Sequence, residues 1–257
     1  MRGPGRLGTL PSAGNARVAD GQVTVVGQDA LLCSPARAAD ARPEWFAPAY
    51  WQASGAVALE TSGRGSVWIV SEGGDRWVLR HYHRGGFISR FVFDHYLWLG
   101  LERSRAFREW RLLRRLSDAG LAVPNPVAAR VRRAGPVYTA DILTVYIPDT
   151  RKLSAFIAER RAPEDCWRRV GRLVRAVHDQ GVDHPDLTAH NLLLDARGEV
   201  FLVDFDNAHV RPPGVWQQRG LERLERSLRK VALETGTDFD ERGWAELVAG
   251  YGGGQPR

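Results

Sequence analysis

The sequence predicts an α+β protein of two lobes: an N-terminal antiparallel β-sheet carrying one main helix, then a reduced, mostly helical C-terminal part. Three observations lead there. Short apolar runs separated by Gly-containing turns recur from Val57 to Ile147, broken by a single stretch of helical period. Beyond Pro148-Asp149 the apolar residues recur mainly at helical spacing. Within that second part, His184–Asp206 holds two short apolar runs, Leu192–Leu194 and Val200–Val203, flanking the turn Asp195-Ala196-Arg197-Gly198.

Residues 1–17 are rich in Gly, Pro and Arg without periodicity and are expected to be flexible, with structure beginning near Val18. Residues 18–147 form the expected first lobe and 148–257 the second. The aromatic stretch Trp45–Trp51 suits a cover for the first sheet. Val57–Leu59, Val67–Val70 and Trp77–Arg80 read as three antiparallel strands, the last two joined by the turn Glu72-Gly73-Gly74-Asp75. Between the first two, Thr61–Ser66 contains Ser62, Gly63, Gly65 and Ser66, small residues that let backbone N–H groups approach a phosphate closely.

Residues 104–119 have helical period through Ala106, Phe107, Trp110, Leu113 and Leu116, and Gly120 stops them. Glu109 lies along that apolar stripe, so its carboxylate needs a cationic partner. Arg80, ending the third strand, is the candidate; the alternative is a solvated edge Glu paired with Arg105 at i−4. After the extended connector Val123–Val127 come strand-like runs Ala128–Arg132 and Val137–Ile147. Pro148-Asp149 reads as a hinge. Helices are expected at Leu153–Arg161 and Pro163–Gln180, the latter with Pro163 in its first turn and Gly181 after its last. Leu221, Leu224, Leu228 and Val231 mark another helix, and Asp240–Tyr251 a final one.

Composition narrows the classes. With 257 residues, 44% apolar and 26% charged, the chain can bury a sizeable core. Its net charge of +6 favours an acidic partner or surface. No helix-turn-helix, zinc or RNA-binding signature accompanies that charge, so nucleic acid is not expected. Cys33 and Cys166 suggest neither a disulfide framework nor a zinc site, and a reducing compartment is expected. No apolar run is long enough for a transmembrane helix and no apolar signal core opens the chain, so any membrane role is expected to be peripheral.

The chemistry concentrates in HPDLTAHNLLLDARGEVFLVDFD. A hairpin over Leu192–Val203 brings the residue before its first strand close to the residue after its second. Asn191 and Asp204 would then offer two hard oxygen ligands to one point, which suits Mg²⁺ carrying a nucleotide phosphate. Asp186, on the loop leading in, would be placed to accept a proton from an attacking hydroxyl. His184 is expected to brace the loop, and His178 to pack or cap.

The pattern H-x-D-L-x-x-x-N followed by D-F-x resembles the catalytic and metal-binding segments of the protein kinase-like superfamily. The likeness narrows further. Leu79-Arg80-His81-Tyr82-His83-Arg84-Gly85-Gly86, Asp141-Ile142-Leu143-Thr144, His184–Asn191 and Val203-Asp204-Phe205-Asp206 resemble the 3-deoxy-D-manno-octulosonic acid (Kdo) kinases, among the lipopolysaccharide core kinases of Gram-negative bacteria. The similarity runs from about Tyr50 to Tyr251. It implies a bilobal kinase-like fold and phosphorylation of the Kdo 4-hydroxyl on a Kdo–lipid A acceptor. ATP and Mg²⁺ are the cofactors it implies, and the cytoplasmic face of the inner membrane the place, with the protein peripheral on an anionic surface.

On that resemblance Asp186 is the catalytic base and Asn191 and Asp204 hold Mg²⁺. Arg80, partnered by Glu109, stands where protein kinases use a phosphate-binding lysine. Gly63, Gly65 and Ser66 cover the phosphates. His81, His83, Arg84 and Arg90 are the candidate acceptor contacts, in a segment interleaving cations with aromatics. Asp206 replaces the Gly of the metal motif; it either adds a carboxylate near Mg²⁺ or pairs with an arginine. The rivals are a protein kinase, another small-molecule phosphotransferase of the superfamily, and a nucleotide-binding pseudokinase scaffold.

Overall fold

The computed structural model describes residues 16–18, 21–62, 65–82, 95–163 and 165–253. They divide into two compact units. One runs to Arg114 and resumes over Asn125–Tyr146; the other comprises Arg115–Pro124 and the chain from Ile147 onward.

The first unit is built on one antiparallel sheet. Its strands are β1 (Ala16–Val18), β2 (Gly21–Val26), β3 (Asp29–Cys33), β4 (Val57–Ser62), β5 (Gly65–Glu72), β6 (Asp75–His81), β7 (Tyr96–Leu97), β8 (Pro126–Ala134) and β9 (Val137–Val145). They order as β1-β2-β3-β8-β9-β6-β5-β4, and β7 pairs with β9 beyond the end of β6. The three strands expected from Val57 onward are present and longer. Three more precede them: Ala16 and Arg17, expected to be flexible, pair with Val23 and Gln22, and β3 pairs with β8.

Strand alternation gives the sheet two buried faces. On one, Leu31, Cys33, Val70, Trp77, Leu79, Ala128 and Leu143 pack beneath Trp45, Phe46 and Trp51, the last within α1 (Pro48–Ala53). Trp45 and Trp51 meet Trp77 edge-on at 5.2 and 6.1 Å. The other face receives α2 (Arg105–Asp118), whose Ala106, Phe107, Trp110, Leu113 and Leu116 are buried. Trp110 sits over Gly21, where a Cβ would come within 2.9 Å of the indole.

The second unit contains β10 (Arg151–Lys152), α3 (Leu153–Ala158), α4 (Cys166–Asp179), β11 (Val182–Asp183), β12 (Leu192–Leu194), β13 (Val200–Leu202), β14 (His209–Val210), α5 (Val215–Glu234) and α6 (Glu241–Gly252). The helix expected from Pro163 begins at Cys166 instead, because Asp165 takes a left-handed φ of 64° and ends the incoming turn. Asp240 caps α6 through the Gly243 amide at 2.7 Å. Helices α4 and α6 cross at glycines: a Cβ on Gly171 would lie 2.0 Å from the Leu247 carbonyl oxygen, and one on Gly250 2.3 Å from that of Arg168. No described helix is long and apolar enough to cross a membrane.

His178 belongs to this core. Its ring lies edge-on to Trp216 and Tyr251, and Nδ1 meets the Tyr251 hydroxyl at 2.8 Å. Burial, against the opposing pull of Asp183 and Asp179, lowers its pKa from 6.5 to about 4. The unfolded chain therefore takes up this proton near pH 6.5 and the folded chain only near 4. Stability is full above pH 6.5 and falls by about 1.4 kcal/mol per unit as the pH drops toward 4. Urea titrations across that window are expected to show the loss, and His178→Phe to flatten its slope. An unchanged slope in the variant would place the proton uptake elsewhere.

Candidate active site

The loop that sequence analysis singled out is tied at its base and at its middle. At the base, β11 and β14 pair through Val182–Val210 and Asp183–His209, so the chain leaves and returns at adjacent points. Gly181, at φ 70°, makes the turn into β11 from α4. In the middle, β12 and β13 form the expected hairpin, with Leu192 opposite Leu202. The ladder continues by one more bond, from the Val203 amide to the Asn191 carbonyl at 2.9 Å. Asn191 therefore stands opposite Val203, and Asp204 is the next residue along.

Asp204 adopts a left-handed φ of 68°. That is costly for a residue with a Cβ and is tolerated because its neighbours are fixed. Phe205 is buried and meets the His184 ring edge-on at 4.8 Å. His184 Nε2 reaches the Val203 carbonyl at 3.2 Å. Burial, the dominant cause, pushes the His184 pKa down, while the Val203 carbonyl, Asp204 and Asp186 oppose the shift. The ring is thus neutral, donates from Nε2, and leaves its buried Nδ1 without a hydrogen bond. Bracing is its evident task.

The amide of Asn191 donates to the Asp186 carbonyl at 2.8 Å, closing the loop on itself. His184 before it and Leu187 and Ala189 after it are buried while Asp186 is exposed, so the loop is anchored and that carboxylate faces outward. Two residues of α5 contribute that sequence reasoning missed. Ser227 Oγ accepts from the Ala189 amide at 3.1 Å, and Arg223 donates to the His184 carbonyl at 3.3 Å. The signal for Ser227 was a lone hydroxyl one position before Leu228 on a buried helix face.

In the first unit, Arg80 Nη2 donates to both oxygens of Glu109 at 2.5 and 2.6 Å, as its stripe position suggested. The Tyr82 hydroxyl adds a third bond to Glu109 at 2.6 Å. Glu109 is only 3% exposed, so these donors replace the water it has lost. His81, the next residue on β6, points to the opposite face. Its Nδ1 meets Asp141 at 2.7 Å, and Asp141 also accepts from Arg130 at 2.8 Å. Asp29 and Arg132 extend this run of alternating charges with bonds of 2.9 and 2.7 Å. Gly65 and Ser66 lie at the start of β5, paired with Ser62 and Thr61. Gly63, His83, Arg84 and Arg90 lie outside the described residues.

The second unit thus holds an exposed carboxylate on an anchored loop and an Asn facing the residue before an Asp, and the first unit a buried Glu holding an arginine. A family model described as the lipopolysaccharide kinase (Kdo/WaaP) family matches residues 48–251. The chain belongs to this family.

Curated relatives of this lipopolysaccharide kinase agree. It is 37% identical over 204 residues, 79% of this chain and 86% of the relative, to a 3-deoxy-D-manno-octulosonic acid kinase from Vibrio cholerae serotype O1. A protein of the same name from Stenotrophomonas maltophilia is 40% identical over 228 residues, covering 88% of this chain and 90% of its own. A third, from Haemophilus influenzae, is 38% identical over 216 residues, 81% and 90% of the two chains. The kinase uses ATP, as its family implies. A cavity of about 480 Å³ walled by Phe156, Trp167, Phe239 and Trp244 also lies in the second unit, and it includes none of Asp186, Asn191 and Asp204.

Proposed function

We propose that the chain transfers the γ-phosphoryl group of ATP to the 4-hydroxyl of Kdo on a Kdo–lipid A acceptor, as a peripheral protein at the cytoplasmic face of the inner membrane. The observation that supports this reading is the Asn191–Val203 ladder bond, which brings Asn191 opposite the residue before Asp204, with Asn191 also bonded to the Asp186 carbonyl. Relatives of the same length class bear the name 3-deoxy-D-manno-octulosonic acid kinase.

Asp186 is assigned the base: an exposed carboxylate on an anchored loop can orient the sugar hydroxyl and take its proton. An amide oxygen and a carboxylate suit Mg²⁺, and Asn191 and Asp204 would hold it. Among the described residues no three or more His, Cys, Asp and Glu side chains gather as a metal site. The Asn–Asp pair suits an ion that shares its shell with phosphate oxygens. When bound, Mg²⁺ would neutralise charge on the transferring phosphate. Arg80, steadied by Glu109 and Tyr82, would bind phosphate oxygens in pairs, which lysine cannot do. Backbone amides near Gly63, Gly65 and Ser66 would cover the same oxygens. His83, Arg84 and Arg90 would meet the anionic acceptor, while His81 is held by Asp141.

Only Asn207–Gly214 separate Asp206 from α5, which leaves no length for a protein kinase's peptide platform. Incubation with γ-labelled ATP tests the reading against its rivals. Label is expected on Kdo–lipid A and not on a protein substrate or an aminoglycoside. Label on either of the latter, with none on Kdo–lipid A, would reassign the acceptor.

A further inference from the structure

The edge of the first unit carries an unusual arrangement of side chains at β7. Leu97 and Leu99 are 68% and 66% exposed, far more than their size warrants in a folded protein. Between and beside them, Tyr96 and Trp98 turn inward and pack on Tyr138, with ring centroids 5.5 and 6.0 Å away. The alternation follows from strand geometry: a two-residue pairing with β9 fixes Tyr96 opposite Tyr138 and leaves the leucines on the outer side. The Trp98 amide continues the attachment, donating to the Pro136 carbonyl at 2.8 Å. The leucines thus stand on the outer side of a paired edge.

Cations surround this edge. The Arg133 guanidinium lies 5.0 Å from the Trp98 ring centroid, and that of Arg105 4.9 Å from Tyr96. Arg103 and Arg108 are exposed in the adjoining turn and helix. The acid of this segment, Glu102, is paired with Arg111 at 2.8 Å. Two projecting leucines beside a basic rim form the pattern of an interfacial anchor. A protein partner would satisfy the leucines equally; the preponderance of arginine favours a surface that is both apolar and anionic.

We propose that the β7 edge, through Leu97 and Leu99 with Arg103 and Arg133, docks the protein onto an anionic phospholipid bilayer. The Leu side chains enter the acyl boundary and the arginines meet lipid phosphates, while the Trp98 and Tyr96 rings brace the edge against Tyr138. This deepens the kinase reading, on which it rests for its purpose: an acceptor with its acyl chains in the bilayer is reached by an enzyme that stands on it.

Sedimentation of the full chain with vesicles, without ATP or sugar acceptor, is the test. The wild type is expected to bind phosphatidylglycerol–phosphatidylethanolamine vesicles and not phosphatidylcholine vesicles. Leu97→Glu/Leu99→Glu is expected to lose at least tenfold in bound fraction, with an unchanged near-ultraviolet circular dichroism spectrum. Arg103→Glu/Arg133→Glu is expected to weaken binding and flatten its salt dependence. Equal binding by the leucine variant, or no binding by the wild type, overturns the proposal. So does gel filtration showing a wild-type dimer that the leucine variant splits, with no vesicle binding, since the face would then belong to a second copy. Wild-type transfer to acceptor dispersed in detergent is scored separately. Vesicle binding without transfer sinks the catalytic reading alone, and transfer without vesicle binding sinks the docking proposal alone.

Discussion

Asp186→Ala is expected to lower phosphoryl transfer by about 10²–10⁴-fold while ATP binding persists. The split follows from how the loop is held. Its anchors are the buried Leu187 and Ala189, the Ser227 hydroxyl on the Ala189 amide, and the Asn191 amide on the Asp186 carbonyl. None of them uses the Asp186 carboxylate, which is exposed. Removing that carboxylate therefore deletes a proton acceptor and leaves the backbone path intact. Single-turnover rates measured beside a nucleotide-binding isotherm separate the two effects. Normal turnover in the variant would remove Asp186 from the role of base; lost nucleotide binding would mean that the loop had shifted.

The second large effect belongs to Glu109→Ala. Its carboxylate, almost wholly removed from solvent, accepts two bonds from Arg80 and one from Tyr82. Deleting it leaves a partly buried guanidinium without that counter-charge, and breaking such a pair costs about 3–5 kcal/mol. A lower unfolding midpoint and a fall in transfer are both expected. The double variant Arg80→Met/Glu109→Leu distinguishes packing from chemistry. Replacing both partners by apolar groups of similar volume is expected to recover most of the stability, because the unmatched charge is gone. Transfer is expected to stay low, because no cation then serves the phosphate oxygens. Recovery of activity along with stability would show that Arg80 acts only as a strut.

Local chemistry explains what could be read from the sequence. The hairpin carrying Asn191 and Asp204 was legible because its turn residues and both apolar runs are consecutive. The Arg80–Glu109 pair was legible because a carboxylate on the apolar stripe of α2 demands a cation. Strands β1–β3 carried a fair signal in Val23–Val26 and the Gly27-Gln28 turn, but their place depends on β8, far along the chain. The start of α4 was misplaced because Asp165 breaks the helix by its φ, a choice no spacing announces. Ser227 and Arg223 escaped because their partners are backbone atoms of a distant loop. Such bonds leave no pattern in either segment.

The crossing of α4 with α6 also bears on the order in which the protein is made. Gly171 and Gly250 let the two backbones touch, and Tyr251 closes over His178 at the end of α4, just before β11 and the Asp186 loop. Residues of α6 finish this platform, about sixty positions after the Asp186 loop. A nascent chain that already contains Asp186, Asn191 and Asp204 but has not reached Tyr251 thus lacks the α4–α6 packing that the finished protein has.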